Sequence, residues 1–296
     1  MKPAISRIVL GTDWMIAVPN SASWNIVPAK RSDAILHQAV ELGINSFETA
    51  RIYRSEGVIG RFVKKHPLGR DAFWIITKGG RRLIRKKSLT QHNLLRELDD
   101  SLRALATDYV DVYLLHYDDP TVPAQAIADW SLNILRSGKA RNIGYSNVSL
   151  ARLKELQIRL QEANVVPWVS NEFNAISPQG AERWKGAQNI SRDRSFVDYL
   201  RENDLPFLAY SPLGRGDLKR NSGELHQLLA LSKKYDVPPA AIALNYILQT
   251  GPNFRPIVGT SSLHHLRENV RALQFQMTDR ERDALAFPNS SPESPA

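Results

Sequence analysis

Four side chains with acid–base chemistry follow three consecutive strand-like segments of the chain: Glu48, Tyr53, Lys78 and His116. A phenol ordinarily has a pKa of about 10. A neighbouring ammonium favours the phenolate and lowers that value. A carboxylate can hold the ammonium in place, and an imidazole can donate a hydrogen bond to a substrate oxygen. Such a set is suited to protonating an alkoxide as it forms, as in the second half of a carbonyl reduction.

Each of these residues, taken alone, has a simpler explanation. Tyr53 can be a packing residue, Lys78 a solvated lysine, His116 a satisfied core histidine and Glu48 a loop carboxylate. The chemical interpretation rests on their joint placement, because four matching side chains end or follow neighbouring strands. In a barrel of parallel strands, those ends converge on one mouth.

Short β-rich apolar segments alternate with stretches of helical periodicity along the chain. The predicted strands are 8–11, 45–49, 73–77, 109–116, 141–146, 168–173, 206–210 and 256–258. The predicted helices are 29–42, 56–66, 89–106, 123–137, 149–163, 192–203, 239–249 and 262–273, with additional helices at 223–235 and 278–286. Eight strand–helix units predict a single (β/α)8 TIM barrel over residues 1–287, followed by a disordered tail at 288–296. The G-x-G-x-x-G fingerprint of a doubly wound sheet is missing after the first strand.

The composition limits the class of protein. The chain has 296 residues, of which 43% are hydrophobic and 8% aromatic, which argues against disorder. It has no cysteine, so disulfides and thiolate metal sites are excluded, and we predict no metal site. No apolar run approaches the roughly 18 residues of a membrane-spanning helix, and the first residues lack a signal-peptide core. We therefore expect a cytoplasmic protein that does not bind membranes.

The net charge of +9 is confined to residues 61–87. One group of basic residues, Arg61, Lys64, Lys65 and Arg70, lies on or just after the second predicted helix, away from the mouth. A second group follows the third strand on the mouth side: Arg81, Arg82, Arg85, Lys86 and Lys87. This second group either steers an anionic ligand towards the mouth or forms a solvated loop. No nucleic-acid-binding motif accompanies the charge, so we predict no nucleic-acid partner.

The segment Gly43–Glu56 reads G-I-N-S-F-E-T-A-R-I-Y-R-S-E. It resembles the aldo-keto reductase signature G-x-N-x-x-D-T-A-x-x-Y-G-x-S/N-E. Further blocks resemble the family in the same order: Ile76–Lys78, Leu114–His116, Gly144–Asn147, Ala209–Gly214 and Gly259–Ser262, the last with Glu268 and Asn269. The resemblance extends from about residue 6 to 275, nearly the whole chain.

The resemblance implies an NAD(P)H-dependent oxidoreductase that reduces the carbonyl group of a small aldehyde or ketone to an alcohol. Tyr53 would be the proton donor, Lys78 would lower its pKa, and His116 would orient the carbonyl. The carboxylate paired with the lysine would be Glu48. The alternative is a barrel that binds NADP(H), catalyses little and acts as a regulatory or partner-binding subunit.

The same resemblance assigns a cofactor site. The nicotinamide end would be held by Ser146, Asn147 and Ser170, with Tyr210 stacked on the ring. The pyrophosphate would pass Ser211, Leu213 and Gly214, and the adenosine end would lie at Gly259, Thr260, Ser261, His265 and Asn269. A loop of small hydroxyl residues that opens a helix is suited to bind an anion, although an ordinary serine N-cap has the same appearance. In this family the loop commonly receives the 2′-phosphate, which favours NADPH over NADH.

Several residues depart from the family pattern. Glu48 replaces an aspartate, so we expect a retained ion pair with shifted geometry. Arg54 replaces the glycine after the tyrosine, and either reaches the mouth, where it would favour anionic substrates, or points to solvent. Ser170 replaces an amide-binding glutamine, and Gly259 replaces a lysine of the phosphate loop. Arg267 is a substitute phosphate ligand or an ordinary surface residue.

Overall fold

Eight parallel strands close into a barrel in the computed structural model, which describes residues 2–15, 29–80, 89–176, 187–215 and 223–286. Each strand pairs with the next along the chain, and the last pairs with the first through Val9 and Ile257. The strands are β1 (Val9–Gly11), β2 (Ser46–Glu48), β3 (Trp74–Gly79), β4 (Val112–Leu115), β5 (Ile143–Ser146), β6 (Trp168–Glu172), β7 (Phe207–Tyr210) and β8 (Phe254–Val258). The predicted single-domain (β/α)8 barrel is confirmed.

Helices follow the strands and surround the barrel. They are α1 (Ala29–Glu41), α2 (Glu56–Lys65), α3 (Gln91–Leu105), α4 (Ala124–Arg136), α5 (Leu150–Gln161), α6 (Arg194–Glu202), α7 (Gly223–Tyr235), α8 (Pro239–Thr250), α9 (Leu263–Val270) and α10 (Asp279–Ala286). Helices α7 and α10 are the two elements that the sequence predicts in addition to the eight units. No helix in the described part of the chain is long and apolar enough to cross a membrane.

Five of the described helices begin at a side-chain cap, and in α10 the cap is Thr278, whose Oγ1 accepts from the Glu281 N–H at 3.3 Å. Thr90, Ser149, Asp193 and Ser262 each accept a hydrogen bond from the backbone N–H three residues later, at the start of α3, α5, α6 and α9. Each such cap contributes about 1 kcal/mol to helix stability. These short polar residues therefore mark where a strand–helix loop ends and its helix begins.

The hydrophobic core has two layers. A smaller cluster fills the barrel interior: Val9, Ile76, Val112, Leu114, Trp168, Leu208 and Ile257. The larger cluster packs the outward-facing strand residues, Phe47 and Ile75 among them, against the helices. Alternation of side chains along each strand produces this division. The packed interior leaves the carboxyl ends of the strands as the place for a site.

The amino ends of the strands are held by an ionic cluster. The buried carboxylate of Asp111 pairs with Lys2 Nζ at 2.5 Å and with Arg70 Nη2 at 2.8 Å. Arg70 also donates to the carbonyls of Phe73 and Tyr109. Arg70 thus lies away from the mouth of the barrel, in agreement with the sequence-based prediction.

Three sequence-based predictions lie outside the described residues. They are the basic cluster Arg81–Lys87, the domain boundary at residue 287 and the tail at 288–296.

Candidate active site

The Lys78 ammonium lies at the centre of the candidate site. Lys78 is the last but one residue of β3 and is buried, with 3% of its surface exposed. Its Nζ contacts the Glu48 carboxylate and donates to the backbone carbonyl of Thr49 at 3.0 Å. The same nitrogen lies 3.2 Å from the phenolic oxygen of Tyr53. The charge of the buried ammonium is therefore neutralised by Glu48 on one side. On its other side the ammonium faces the phenol of Tyr53.

Glu48 ends β2, and its side chain is buried beside the end of β1. The expected ion pair with Lys78 is present. A Cβ atom at Gly11, the partner of Glu48 in the β1–β2 ladder, would lie 2.7 Å from Ile257 and 3.6 Å from Glu48 Oε2. Glycine at position 11 therefore leaves room for the Ile257 side chain, while a Cβ atom there would be in ordinary van der Waals contact with Glu48.

Tyr53 lies on a single 3-10 turn, Arg51–Tyr53, directly after β2. Its half-buried ring meets the ring of His116 edge-on, with centroids 5.7 Å apart at 87°. The turn ends at Arg54, which has the left-handed φ of 61° and an exposed side chain. This is the position at which the family signature has glycine, the residue that adopts this conformation without steric cost.

A chain of buried hydroxyl groups ties the Tyr53 turn to the barrel. The Ser55 hydroxyl lies 2.9 Å from Thr12 Oγ1 and 2.9 Å from Thr49 Oγ1. Thr12 follows β1, and Thr49 follows β2. The segment that carries Tyr53 is thus fixed to two neighbouring strand ends by polar groups that are shielded from water. Sequence reasoning missed this chain, although Thr49 and Ser55 both lie in the signature segment.

His116 follows β4 immediately, and its ring is stacked on that of Tyr117, with centroids 5.2 Å apart. Its backbone carbonyl accepts a hydrogen bond of 3.0 Å from Asn147 Nδ2. This bond connects the proposed carbonyl-binding residue to the end of β5, where the sequence predicts the nicotinamide carboxamide.

Asn147 forms hydrogen bonds with several of the residues expected at the nicotinamide. Its Nδ2 also donates to Ser146 Oγ at 3.1 Å, and its Oδ1 accepts from the Tyr210 hydroxyl at 2.6 Å. Gln188, which sequence reasoning missed, donates its backbone N–H to the same oxygen at 3.3 Å. Burial raises the pKa of the Tyr210 phenol well above its usual value. Asn147 has a left-handed φ of 57°, and asparagine is one of the few residues enriched in that conformation.

Ser170 lies opposite Ser146 in the β5–β6 ladder. Its hydroxyl is fully buried and has no hydrogen-bond partner among the described residues. Leaving such a group unsatisfied costs about 1–3 kcal/mol. An unsatisfied hydroxyl beside Ser146 and Asn147 fits a polar ligand group at this place, such as a carboxamide.

The remaining cofactor candidates occupy two turns. Ser211, at φ 50°, Leu213 and Gly214, at φ 52°, form the turn after β7. Gly259, Ser261 and His265 are exposed around the start of α9, where Thr260 Oγ1 accepts from the Ser262 N–H at 3.1 Å.

Three further residues at or near the start of α9 bear on the expected cofactor site and on the differences from the family pattern. Asn269 is buried on α9. A Cβ atom at Gly259 would come within 3.3 Å of Trp14, so Trp14 packs beside this loop. Arg267 donates to Gln38 of α1 at 2.5 Å, which neither of the two expectations for it included.

Glu56, the last residue of the signature, opens α2 with a buried carboxyl group. It accepts a hydrogen bond of 2.7 Å from Thr77 Oγ1, on the residue next to Lys78. Burial raises the pKa of this carboxyl, and the hydrogen bond from Thr77 and the charge of Arg51 oppose the rise. The signature includes this glutamate, but the sequence alone does not show that it contacts β3. In the described ranges, no group of three or more histidine, aspartate or glutamate residues is placed to hold a metal ion.

The sequence profile of the Aldo/keto reductase family matches residues 7–286. The chain belongs to the aldo/keto reductase family. An uncharacterized oxidoreductase of Schizosaccharomyces pombe is 30% identical over 83% of this chain and 74% of its own length. A second protein of the same yeast, named as a candidate voltage-gated potassium channel subunit beta, is 25% identical over 81% of this chain and 78% of its own.

The fold is shared with solved aldo/keto reductases. The crystal structure of the Klebsiella pneumoniae enzyme in complex with NADP and acetate matches with a TM-score of 0.76. The match covers 98% of this chain and 93% of the other at 20% identity. At that identity the likeness supports the common barrel.

Proposed function

We propose that this aldo/keto reductase reduces the carbonyl group of small aldehydes or ketones to alcohols with NADPH, and that Tyr53 supplies the proton. The observation that carries the proposal is the position of Lys78 Nζ, in contact with the Glu48 carboxylate and 3.2 Å from the Tyr53 hydroxyl. A structural lysine would satisfy its charge with the carboxylate alone. Here the ammonium also faces the phenolic hydroxyl of Tyr53, which can donate a proton to a developing alkoxide.

Lys78 stabilises the negative charge that develops on the Tyr53 oxygen as the proton leaves. The interaction is strong because both groups are shielded from water, where the attraction between charges rises steeply. Glu48 and the Thr49 carbonyl keep the ammonium in one position. The charge is therefore in place before the reaction and needs no reorganisation.

His116 and Tyr53 would bind the substrate oxygen from two directions. Their rings meet edge-on, with centroids 5.7 Å apart. We assign His116 the role of hydrogen-bond donor that orients the carbonyl, and Tyr53 the role of donor that completes the alcohol. Holding the substrate oxygen between two hydrogen-bond donors fixes the orientation of the carbonyl group for the reaction.

The residues around Asn147 and at the start of α9 fit a nicotinamide dinucleotide. The buried Ser170 hydroxyl, Ser146 and Asn147 would hold the carboxamide, and the Tyr210 ring would stack on the nicotinamide. The pyrophosphate would pass along the turn at Ser211–Gly214. The adenosine end would lie at Gly259–Ser261, His265 and Asn269. A bound dihydronicotinamide supplies the hydride. The hydroxyl-rich, Ser262-capped start of α9 suits the 2′-phosphate, which favours NADPH over NADH.

The test is NADPH oxidation with a panel of aldehydes and ketones, comparing the wild type with Tyr53→Phe. We expect the variant to lose at least about 100-fold in kcat, the usual contribution of a general acid. Its NADPH dissociation constant, measured by calorimetry, should stay the same because the ring remains. Turnover equal to the wild type would remove Tyr53 from the mechanism.

The second candidate is an NADP(H)-binding barrel that regulates a partner. The likeness to the candidate potassium channel beta subunit favours it. Tight NADPH binding without turnover of any carbonyl in the panel would support this role over the first. The cytoplasmic location stays a prediction.

A further inference from the structure

A pocket of about 380 Å³ opens at the end of the barrel opposite the candidate active site. Three arginines line it, Arg7, Arg201 and Arg282, and no described lining residue is acidic. The remaining lining residues are Leu248, Gln249, Thr250, Gly251, Pro252 and Gln276. The wall of the pocket is therefore cationic and rich in hydrogen-bond donors.

The three arginines come from separate elements. Arg7 precedes β1, Arg201 lies in the last turn of α6, and Arg282 lies on α10. Each helix of the barrel runs back towards the amino ends of the strands. The ends of α6 and α8 are thereby brought next to the chain segment that enters β1.

Arg7 has no carboxylate partner among the described residues, whereas Arg282 and Arg201 each have one. Arg7 donates to the carbonyl of Leu248 at 2.6 Å, and Arg282 donates to that of Gln249 at 2.9 Å, both in the last turn of α8. Arg282 also pairs with Asp279, and Arg201 reaches Asp198 at 3.5 Å. A guanidinium group has five N–H donors in a fixed fork, so each arginine keeps donors for a further ligand.

Arg255 on β8 is not part of the pocket lining, but it lies close enough to Arg7, which lines the pocket, for the two charges to interact. The Nη1 of Arg255 donates to the carbonyl of Asn253 at 2.9 Å, whereas its buried Nε has no acceptor among the described residues. Burial lowers the pKa of Arg255, and the charge of Arg7 lowers it further. Two like charges thus stand close together at the adjoining ends of β1 and β8, and an anion between the arginines would relieve their repulsion.

We propose that this pocket binds a phosphate-type oxyanion, either free or as the phosphate group of a small metabolite. Guanidinium forks match the oxygen geometry of phosphate and bind it in bidentate fashion. Capping of α8 explains one donor each of Arg7 and Arg282. It does not explain the position of Arg201 or the unsatisfied Nε of Arg255.

The test follows the arginine Nε–Hε signals by NMR on the full chain, labelled with ¹⁵N-arginine. Inorganic phosphate and sulfate are titrated at constant ionic strength, with chloride as the reference anion. The Arg7 signal, assigned from Arg7→Lys, reports on this pocket and not on the mouth of the barrel. The outcome is thus independent of whether the chain reduces carbonyls.

We expect a saturable shift of the Arg7 signal with both oxyanions. Arg201→Gln should weaken the affinity about tenfold, the effect of losing one charge-assisted hydrogen bond. The matched control is Arg136→Gln, which removes an exposed arginine from the last turn of α4. It should bind as the wild type does. Signals that do not move, that move equally with chloride, or that saturate identically in Arg201→Gln would overturn the proposal.

Discussion

The Tyr210 hydroxyl donates a hydrogen bond of 2.6 Å to the amide oxygen of Asn147. The sequence assigns these residues to two different parts of the nicotinamide, the ring face and the carboxamide. Their direct contact means that the stacking ring and the carboxamide ligand hold one another in position. On the proposed function, Tyr210 would therefore have two separable roles, one from its ring and one from its hydroxyl.

Tyr210→Phe separates these roles. We expect a loss in NADPH affinity of about two- to tenfold, because one hydrogen bond contributes about 0.5–1.5 kcal/mol. Tyr210→Ala should lose more, since the stacking surface disappears as well. Fluorescence titration with NADPH measures both variants. Equal affinities for the two variants would contradict a stacking role for the ring.

Glu48→Gln leaves the Lys78 ammonium buried without a counter-charge. Breaking a buried ion pair by removing one partner costs about 3–5 kcal/mol. We expect a lower midpoint in chemical denaturation and a loss of carbonyl reduction. The control is Glu48→Asp, which keeps the charge and should retain most of the stability. If Glu48→Gln unfolds at the same midpoint as the wild type, the pair does not carry this role.

Glu56→Gln tests the buried carboxyl next to β3. Because the pKa of Glu56 is raised, the folded chain disfavours its charged form, and this lowers stability at pH above the raised pKa. The penalty disappears as the pH falls through that value. The amide oxygen of glutamine can still accept from Thr77. We therefore expect Glu56→Gln to melt higher than the wild type at pH 7, with a difference that shrinks towards pH 4, as measured by circular dichroism. A variant that melts lower at pH 7 would show that the charge is needed.

The variant Glu281→Gln tests whether Glu281 anchors α10 to α7. Burial would raise the pKa of this carboxyl, but hydrogen bonds from Lys234, Thr278 and Tyr235 together lower it to about 2 from its usual 4.5. This carboxylate therefore stabilises the fold above pH 4.5, and the contribution is lost as the pH falls towards about 2. Acid unfolding of Glu281→Gln should show lower stability than the wild type at pH 6 and no difference near pH 2. The exposed Glu202→Gln is the control, and a difference that persists at pH 2 would rule out this explanation.

Strand–helix alternation was sufficient to predict the barrel, because each strand is a short apolar segment and each helix has a cap or an apolar face. The bounds of several strands differ from the prediction, in one case because a side chain takes the place of a backbone hydrogen-bond partner. The strand predicted at 109–116 is shorter, Val112–Leu115, because Asp111 uses its carboxylate to accept from the Ile75 N–H at 2.9 Å. β8 begins earlier than predicted, at Phe254, because Pro256 in its middle hides the strand pattern.

The positions of the chemical side chains at strand ends and the Glu48–Lys78 ion pair were predictable, but the other partners were not. The contact of Asn147 with Tyr210, the orphaned Ser170 hydroxyl and the bond of Arg267 to Gln38 depend on how loops and helices meet. Residues far apart in sequence create these contacts, and no local pattern encodes them. The cationic pocket has the same origin, since its arginines come from the two ends and the middle of the chain.

The hydroxyl chain of Thr12, Ser55 and Thr49 has a consequence for divergence within the family. It fastens the Tyr53 turn to the ends of β1 and β2. Substitutions in the other strand–helix loops can reshape the substrate pocket while the donor stays where the barrel holds it. On the proposed function, the position of the proton donor is thereby independent of the loops that would shape the substrate pocket.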